Sequence, residues 1–350
     1  MTSASIKKIL VKFNLNGNST QWIPLNNGLI NDTYLVKEDN GEQYILQKIN
    51  TQVFKNAGIL MANIQFTLPI LNADDYEQIT FLKTRSDKNY LVQNDEFWRM
   101  MTFIPNSTTH NTTTNPTTAF EAGRIIGKFH QLLQHIDTTL IEDTLPNFHK
   151  LSHRKDEFKQ ALQNATKEKL NVADKAIKKA QHFITELAHL NTGSLPIRVC
   201  HNDTKLNNIL FSKTSEKALC LIDLDTIMQG FFFYDFGDAI RTIVNTAAED
   251  EQDHSLITFN EALFTAFVDG LASNGPFLSS AEKESLPLGA VFMPFIHGLR
   301  ALTDYLNNNT YYKVSYENQN LDRCLSLFNF AEKALDRKHY MARYIKNALG

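Results

Sequence analysis

Asp203, Asn208 and Asp223 fall in the run VCHNDTKLNNILFSKTSEKALCLIDLDTIMQGFFFYDFGDAIR, from Val199 to Arg241, and their types and spacing can do chemistry. The apolar runs Ile209–Phe211 and Ala218–Ile222 flank the polar turn Ser212–Lys217, which is the pattern of a β-hairpin. With the turn centred near Ser215–Glu216, Asn208 falls opposite Asp223. An amide oxygen and a carboxylate then stand side by side at the open end of the hairpin. Two hard oxygen ligands suit Mg²⁺, which takes few protein ligands and fills its other positions with phosphate and water. Asp203 lies in the loop entering the hairpin, where a carboxylate can accept the proton of an attacking hydroxyl. Phosphoryl transfer needs little else: a placed nucleophile, neutralised phosphates and a cation along the phosphate chain. Lys48, in QYILQKIN, is that cation if strand alternation turns it toward the nucleotide. The turn NNGLINDT (26–33) adds Gly28, whose missing Cβ lets backbone amides approach phosphate oxygens.

The elements around these residues fall into two groups. TQWIPLNN, TYLVKE, QYILQKI, NYLVQ and FWRMMTFI are short β-branched or aromatic runs bounded by Asn, Asp and Gly, and read as strands. Val53 to Phe66 interrupts them with a helix-compatible run. NSTTHNTTTNPTT (106–118) has almost no apolar content and reads as a surface connector. Beyond it, Ala119–His135 is spaced as a helix with Pro116 as a start signal, 153–190 as an exposed helical pair, and the last stretch of chain again as helix. The plan is a nucleotide-binding lobe over 1–105, a connector over 106–118 and a catalytic, substrate-binding lobe over 119–350, with the active site in the cleft.

Composition narrows the classes. A net charge of −3, with no isolated block of Lys and Arg, gives nucleic acid or an anionic membrane no electrostatic purchase. Three cysteines without a CxxC pair fit reduced thiols better than a disulfide framework or a zinc site. The start MTSASIKKILVKFNL lacks the apolar core of a secretory signal, and Leu288–Leu299 is too short to span a bilayer, so the cytoplasm is the expected location.

His201-x-Asp203 followed by Asn208, and Asp223 within IDLD, resemble the catalytic and metal-binding loops of aminoglycoside phosphotransferases and choline kinases. The runs HNDTKLNN, CLIDLDT and YDFGDAIR, with YILQKIN, FWRMMTFI, LPNFH (145–149) and LTDYL (302–306), are similar to bacterial N-acetylhexosamine 1-kinases over most of the chain. The resemblance implies an α+β, two-lobed protein-kinase-like fold, with a β-rich N-terminal lobe and a mainly helical C-terminal lobe. It implies ATP and Mg²⁺ as cofactors and a small-molecule partner, an amino sugar phosphorylated on its anomeric hydroxyl. Asp203 is then the catalytic aspartate, Asn208 and Asp223 the Mg²⁺ ligands, and Lys48 the phosphate lysine. Gly28, Asn31 and Thr33 belong to the nucleotide turn, and Met101 and Phe103 to a hinge strand whose backbone reads adenine. His201 stabilises the loop, while Arg300, Tyr311 and Thr226 contact the sugar.

One position departs from the pattern. Kinase-like folds usually pair the strand lysine with a helix glutamate, yet Ile49 to Ala73 holds no acidic residue, and Ala62 stands where the glutamate is expected. Asp32, Asp74 or Asp75, or the nucleotide alone, is left to hold Lys48. Blander readings compete elsewhere. His130, His149 and His297 read as structural, Asp235 as a helix cap, Phe231–Phe233 as core, and Asp225 as either a cap or a second metal ligand. Rival functions are a kinase for choline, an aminoglycoside or another sugar, a non-catalytic nucleotide binder, and a metal hydrolase built on His201, Asp203, Asp223 and Asp225.

Overall fold

The computed structural model describes residues 3–17, 20–25, 30–189 and 192–350. The chain divides into two compact units, Met1–Ser107 and Thr108–Gly350. The first holds α1 (Ser3–Leu10), β1 (Thr20–Leu25), β2 (Asp32–Glu38), β3 (Gln43–Ile49), α2 (Ala57–Thr67), β4 (Leu91–Gln93) and β5 (Glu96–Thr102). Its strands form one antiparallel sheet in the order β1-β2-β3-β5-β4. The Asn56 side chain starts α2 by accepting from the Ile59 N–H.

Strand periodicity sorts this sheet into two faces. Val36, Tyr44, Leu46, Trp98 and Met100 share one face and pack under Ile6, Ile9, Leu10 and Phe13 of α1 and the turn after it. Among the described residues, none from α2 joins that cluster. In β3, Gln47 and Lys48 are neighbours, so they leave on opposite faces. Lys48 shares a face with its register partners Asp32 and Trp98, which is the face α1 covers. Thr33, Gln47, Arg99 and Met101 stand on the other.

A two-residue strand, β6 (Ser107–Thr108), lies at the division. The second unit is mainly helical: α3 (Pro116–Leu133), α4 (Leu151–Asn164), α5 (Lys167–Val172), α6 (Asp174–Glu186), α7 (Phe232–Ile243), α8 (Glu261–Ala272), α9 (Ser280–Leu306), α10 (Gln319–Asp336) and α11 (Lys338–Ala348). Four short strands, β7 (Arg198–Cys200), β8 (Ile209–Ser212), β9 (Ala218–Leu221) and β10 (Met228–Gly230), sit among them. The polar run ends sooner than its composition indicates. Asn115 caps the Thr117 N–H and Pro116 supplies the first helical φ, so α3 begins inside it. The expected exposed helical pair over 153–190 is three helices, α4 to α6.

The apolar stretch around Leu288–Leu299 belongs to a longer helix than expected, the 27-residue α9. By length and composition it could cross a membrane, yet 83% of its apolar window is buried within the chain, as for a core helix. It crosses α7 at two glycines. A Cβ on Gly237 would fall 2.1 Å from the Gly289 carbonyl oxygen, and one on Gly289 would fall 2.6 Å from the Phe233 carbonyl oxygen. Only glycine permits that approach.

Candidate active site

Asp235, in the first turn of α7 and fully buried, holds the loop that leaves β7. Its Oδ2 accepts the His201 N–H at 2.8 Å and lies 2.8 Å from His130 Nε2, and its Oδ1 accepts the Asn202 N–H at 2.7 Å. Its backbone oxygen accepts the Thr204 hydroxyl. Asn202 takes a left-handed φ of 62° and donates its amide to the Cys200, Thr226 and Met228 carbonyls. The sequence marks Asp235 as a helix cap and His130 as structural; together they clamp the loop that carries Asp203. His130, Cys200 and Asp235 gather side-chain ligand atoms within 4.8 Å. Both oxygens of Asp235 are occupied by loop donors, so the cluster works as a scaffold.

Asp203 emerges from this clamp. Its Oδ2 accepts the Lys205 ammonium at 2.7 Å and the Asn208 amide at 2.8 Å, and its own carbonyl accepts the same amide. Burial pushes the Asp203 carboxyl up, and the adjacent Lys205 ammonium outweighs this, so the net shift is downward. Burial likewise pushes Lys205 down, while the carboxylates of Asp203 and Asp223 outweigh it and raise it. Lys205 is a site residue that the sequence reading passed over. A lysine two positions past the aspartate has its ammonium carried back beside that aspartate, which was the available signal.

The hairpin forms as its pattern indicates, but its register differs by one. Ile209 pairs with Leu221 and Leu210 with Cys220, whereas Phe211 pairs with Ala218, an irregularity that takes up one residue. Asn208 therefore faces Ile222, whose N–H donates to its carbonyl at 2.9 Å, and not Asp223. Asp223 follows in a left-handed turn, φ 60°. The donor chemistry still fits a divalent cation. The Asn208 amide nitrogen is spent on Asp203, which leaves its Oδ1 as the atom that can meet a cation, while the carboxylates of Asp203 and Asp223 both act on Lys205. Thr226, expected at the substrate, gives its hydroxyl to the His201 carbonyl at 2.7 Å and serves the loop. The Asp225 backbone oxygen is held by the Thr144 hydroxyl.

A second wall comes from α9 and its neighbours. The Arg300 guanidinium carbon lies 4.6 Å from the Phe148 ring centroid, 5.8 Å from Tyr311 and 6.0 Å from Tyr312. Burial pushes Arg300 down, but Tyr312, Tyr311 and Asp203 outweigh it and keep it charged. Asp304 anchors the tyrosine pair by accepting the Tyr311 N–H at 2.8 Å and the Tyr312 N–H at 3.0 Å. Buried Asp238 lies 3.1 Å from His297 Nε2 and accepts from Arg241. Asp238 Oδ2 and His149 Nδ1 are among the buried polar atoms with no hydrogen-bond partner within the described residues. His149 and His297, expected to be structural, thus border the same wall, with ring centroids 6.0 Å apart.

His149 makes this wall acid-sensitive. Burial, with the charges of His297 and Arg300, pushes its imidazole down to about 3. The unfolded chain titrates near 6.5 and so binds the proton first, and stability falls as pH drops from about 6.5 toward 3. At pH 5 the loss from this group is about 2 kcal/mol. Melting temperatures at pH 7 and pH 5 will show that drop, and His149→Gln will reduce it.

In the first unit, the sequence-predicted nucleotide residues do not all come together. Gly28 lies outside the described residues. Asn31 Oδ1 accepts the Asn50 N–H at 2.9 Å, and Thr33 Oγ1 accepts the Gln47 amide at 3.2 Å. Met101 shares the Thr33 face of the sheet. The Phe103 N–H donates to Gln43 and the Thr102 N–H to Thr80, so this stretch of the expected hinge backbone is engaged within its own unit. Lys48 stands on the opposite face from Thr33 and Met101. Its partner is none of the carboxylates considered above but Glu96, at 2.5 Å, whose other oxygen takes the Trp98 indole at 3.3 Å. Glu96 lies two positions from Trp98, the register partner of Lys48, so the strand pairing supplies the carboxylate that α2 lacks.

Solved structures of similar fold are phosphotransferases. An amicoumacin kinase in complex with AMP-PNP, Ca²⁺ and Ami superposes with a TM-score of 0.62 at 13% identity, covering 95% of this chain and 93% of that one. A microcompartment-associated aminopropanol kinase gives 0.61 at 16%, covering 99% of both chains. Choline kinase from Cryptosporidium parvum gives 0.56 at 15%, covering 99% of this chain and 96% of its own. These likenesses establish a two-part α+β fold of the protein-kinase-like kind. At the level of sequence, the pattern of the APH phosphotransferase enzyme family matches residues 21–270, which take in the clamped loop, the hairpin and α7. The chain therefore belongs to the phosphotransferase enzyme family.

Proposed function

We propose that this phosphotransferase moves the γ-phosphoryl group of ATP, with Mg²⁺, to the anomeric hydroxyl of an N-acetylhexosamine, either GlcNAc or GalNAc. The observation that carries the reading is a clamped Asp203 whose charge is felt by Arg300, a guanidinium framed by Phe148, Tyr311 and Tyr312. Aromatic faces suit the apolar faces of a sugar ring, and a guanidinium donates to hydroxyl or acetamide oxygens. Asp203 orients the acceptor hydroxyl and takes its proton as the oxygen bonds to the γ-phosphorus. The bond from that phosphorus to the β–γ bridging oxygen breaks, and ADP leaves. Asn208 and Asp223 would hold Mg²⁺, which supplies charge neutralisation on the phosphates. Lys205, beside both carboxylates, adds a positive charge where negative charge builds.

The wall also carries the carboxylates of Asp238 and Asp304, so a panel of neutral and cationic acceptors decides between a sugar and choline or an aminoglycoside. The first experiment is coupled ADP release with Mg-ATP against GlcNAc, GalNAc, glucose, choline and kanamycin. Turnover on an N-acetylhexosamine is expected, and Arg300→Leu is expected to raise the sugar KM about tenfold, the worth of one hydrogen bond to a charged group. Turnover on choline or kanamycin alone would replace the hexosamine with a cationic acceptor.

A further inference from the structure

A kinase needs donors on the sheet face that meets nucleotide phosphate. The strand lysine is the expected group, but Lys48 stands in register with Asp32 and Trp98, is paired to Glu96, and lies on the face that α1 covers. The opposite face carries a different row. Thr33, Gln47 and Arg99 are direct cross-strand partners on β2, β3 and β5. Arg99 Nε and Nη2 donate to Gln47 Oε1 at 2.9 and 2.7 Å, and Gln47 Nε2 donates to Thr33 Oγ1 at 3.2 Å.

This row has a fixed sense. Arginine only donates, so its two bonds pin the Gln47 oxygen inward and leave the amide nitrogen outward. One Nε2 hydrogen reaches Thr33, whose hydroxyl is then an acceptor in that bond and has its own hydrogen left to give. The second Nε2 hydrogen is available as well. A surface showing only donors, polarised by a buried guanidinium behind it, is suited to an anion. Arg99 itself is 2% exposed and packs against Phe81, its guanidinium carbon 5.8 Å from the ring centroid. Its charge therefore acts through Gln47. The absence of a glutamate on α2 follows, because no lysine on that face requires one.

We propose that the Thr33–Gln47–Arg99 row, and not Lys48, receives the nucleotide phosphates, with Gln47 Nε2 and Thr33 Oγ1 as the contacts and Arg99 as the positioning residue behind them. The inference rests on the kinase reading above. Its test is calorimetric binding of Mg-ATP and of adenosine to the full chain and to Lys48→Met, Gln47→Glu and Arg99→Met. Gln47→Glu gives Arg99 a carboxylate partner and so keeps the sheet, while turning an acceptor toward phosphate. Expected are a Mg-ATP Kd raised about tenfold or more by Gln47→Glu and by Arg99→Met, an adenosine Kd within about twofold of wild type, and no change for Lys48→Met. Equal loss of Mg-ATP and adenosine would make the row structural, and loss confined to Lys48→Met would restore the lysine; either overturns the inference. A wild-type chain that binds no Mg-ATP would sink this inference together with the kinase reading. Binding without turnover on any hexosamine would remove only the acceptor assignment.

Discussion

Asp203→Asn is expected to lower turnover at least about a thousandfold while leaving the melting temperature and the Mg-ATP KM nearly unchanged, because positioned general bases contribute about 10² to 10⁴. The substitution keeps one carbonyl oxygen that can still accept the Asn208 amide or the Lys205 ammonium, both now on Asp203 Oδ2. What disappears is the capacity to take a proton. The clamp on the loop comes from the backbone of His201 and Asn202, not from the Asp203 side chain, so the fold has no reason to fail. Coupled ADP release with the best acceptor reads the first quantity, and thermal melting the second. More than a tenth of wild-type turnover in this variant would take Asp203 out of the chemistry.

The second large effect falls on stability. Asp235→Asn replaces a carboxylate that accepts two backbone N–H groups and faces His130 with an amide that has one oxygen and a donor. At least one buried donor then meets another donor, and a buried network broken at one member costs about 3–5 kcal/mol. For a unit of this size that is a drop on the order of 10 °C in melting temperature. Turnover should fall in the same preparation even below the transition, because His201 and Asn202 set where Asp203 stands. A melting temperature within 2 °C of wild type would show that the loop does not depend on this clamp.

The meeting of Asp203 and Asn208 was legible because it is local: a short loop and a tight hairpin bring neighbours in sequence together whatever the rest of the chain does. Even there, the turn pairs Phe211 with Ala218, two residues short of the expected register, and the irregularity between Leu210 and Phe211 recovers only one, so Asn208 faces Ile222; neither leaves much trace in an apolar–polar pattern. The N-terminal sheet was legible as strands but not as faces. In QYILQKI both alternations carry apolar residues, so only the seating of α1 on Tyr44 and Leu46 decides where Lys48 points. The row of Thr33, Gln47 and Arg99 joins three strands that are distant in sequence, and the Arg300 wall joins segments near 148, 300 and 311. No spacing rule reaches across such separations. The bond from the Thr226 hydroxyl to the His201 carbonyl was hidden for a related reason: a hydroxyl in a loop gives no sign of the buried carbonyl it will meet.

The glycine crossing of α7 and α9 bears on how such a protein changes its acceptor. Asp235 and Asp238 ride on α7, while His297, Arg300 and Asp304 ride on α9, and the two helices touch backbone to backbone at Gly237 and Gly289. Neither helix can slide or tilt against the other without steric overlap, so the loop clamp and the Arg300 wall are a single inherited part. Diversification of specificity must then run through side chains on that fixed frame and through the segment after α9 that bears Tyr311 and Tyr312. A directed-evolution library confined to residues 307–318 should yield folded enzymes with altered acceptors, whereas one that randomises positions 237 and 289 should return mostly insoluble chains.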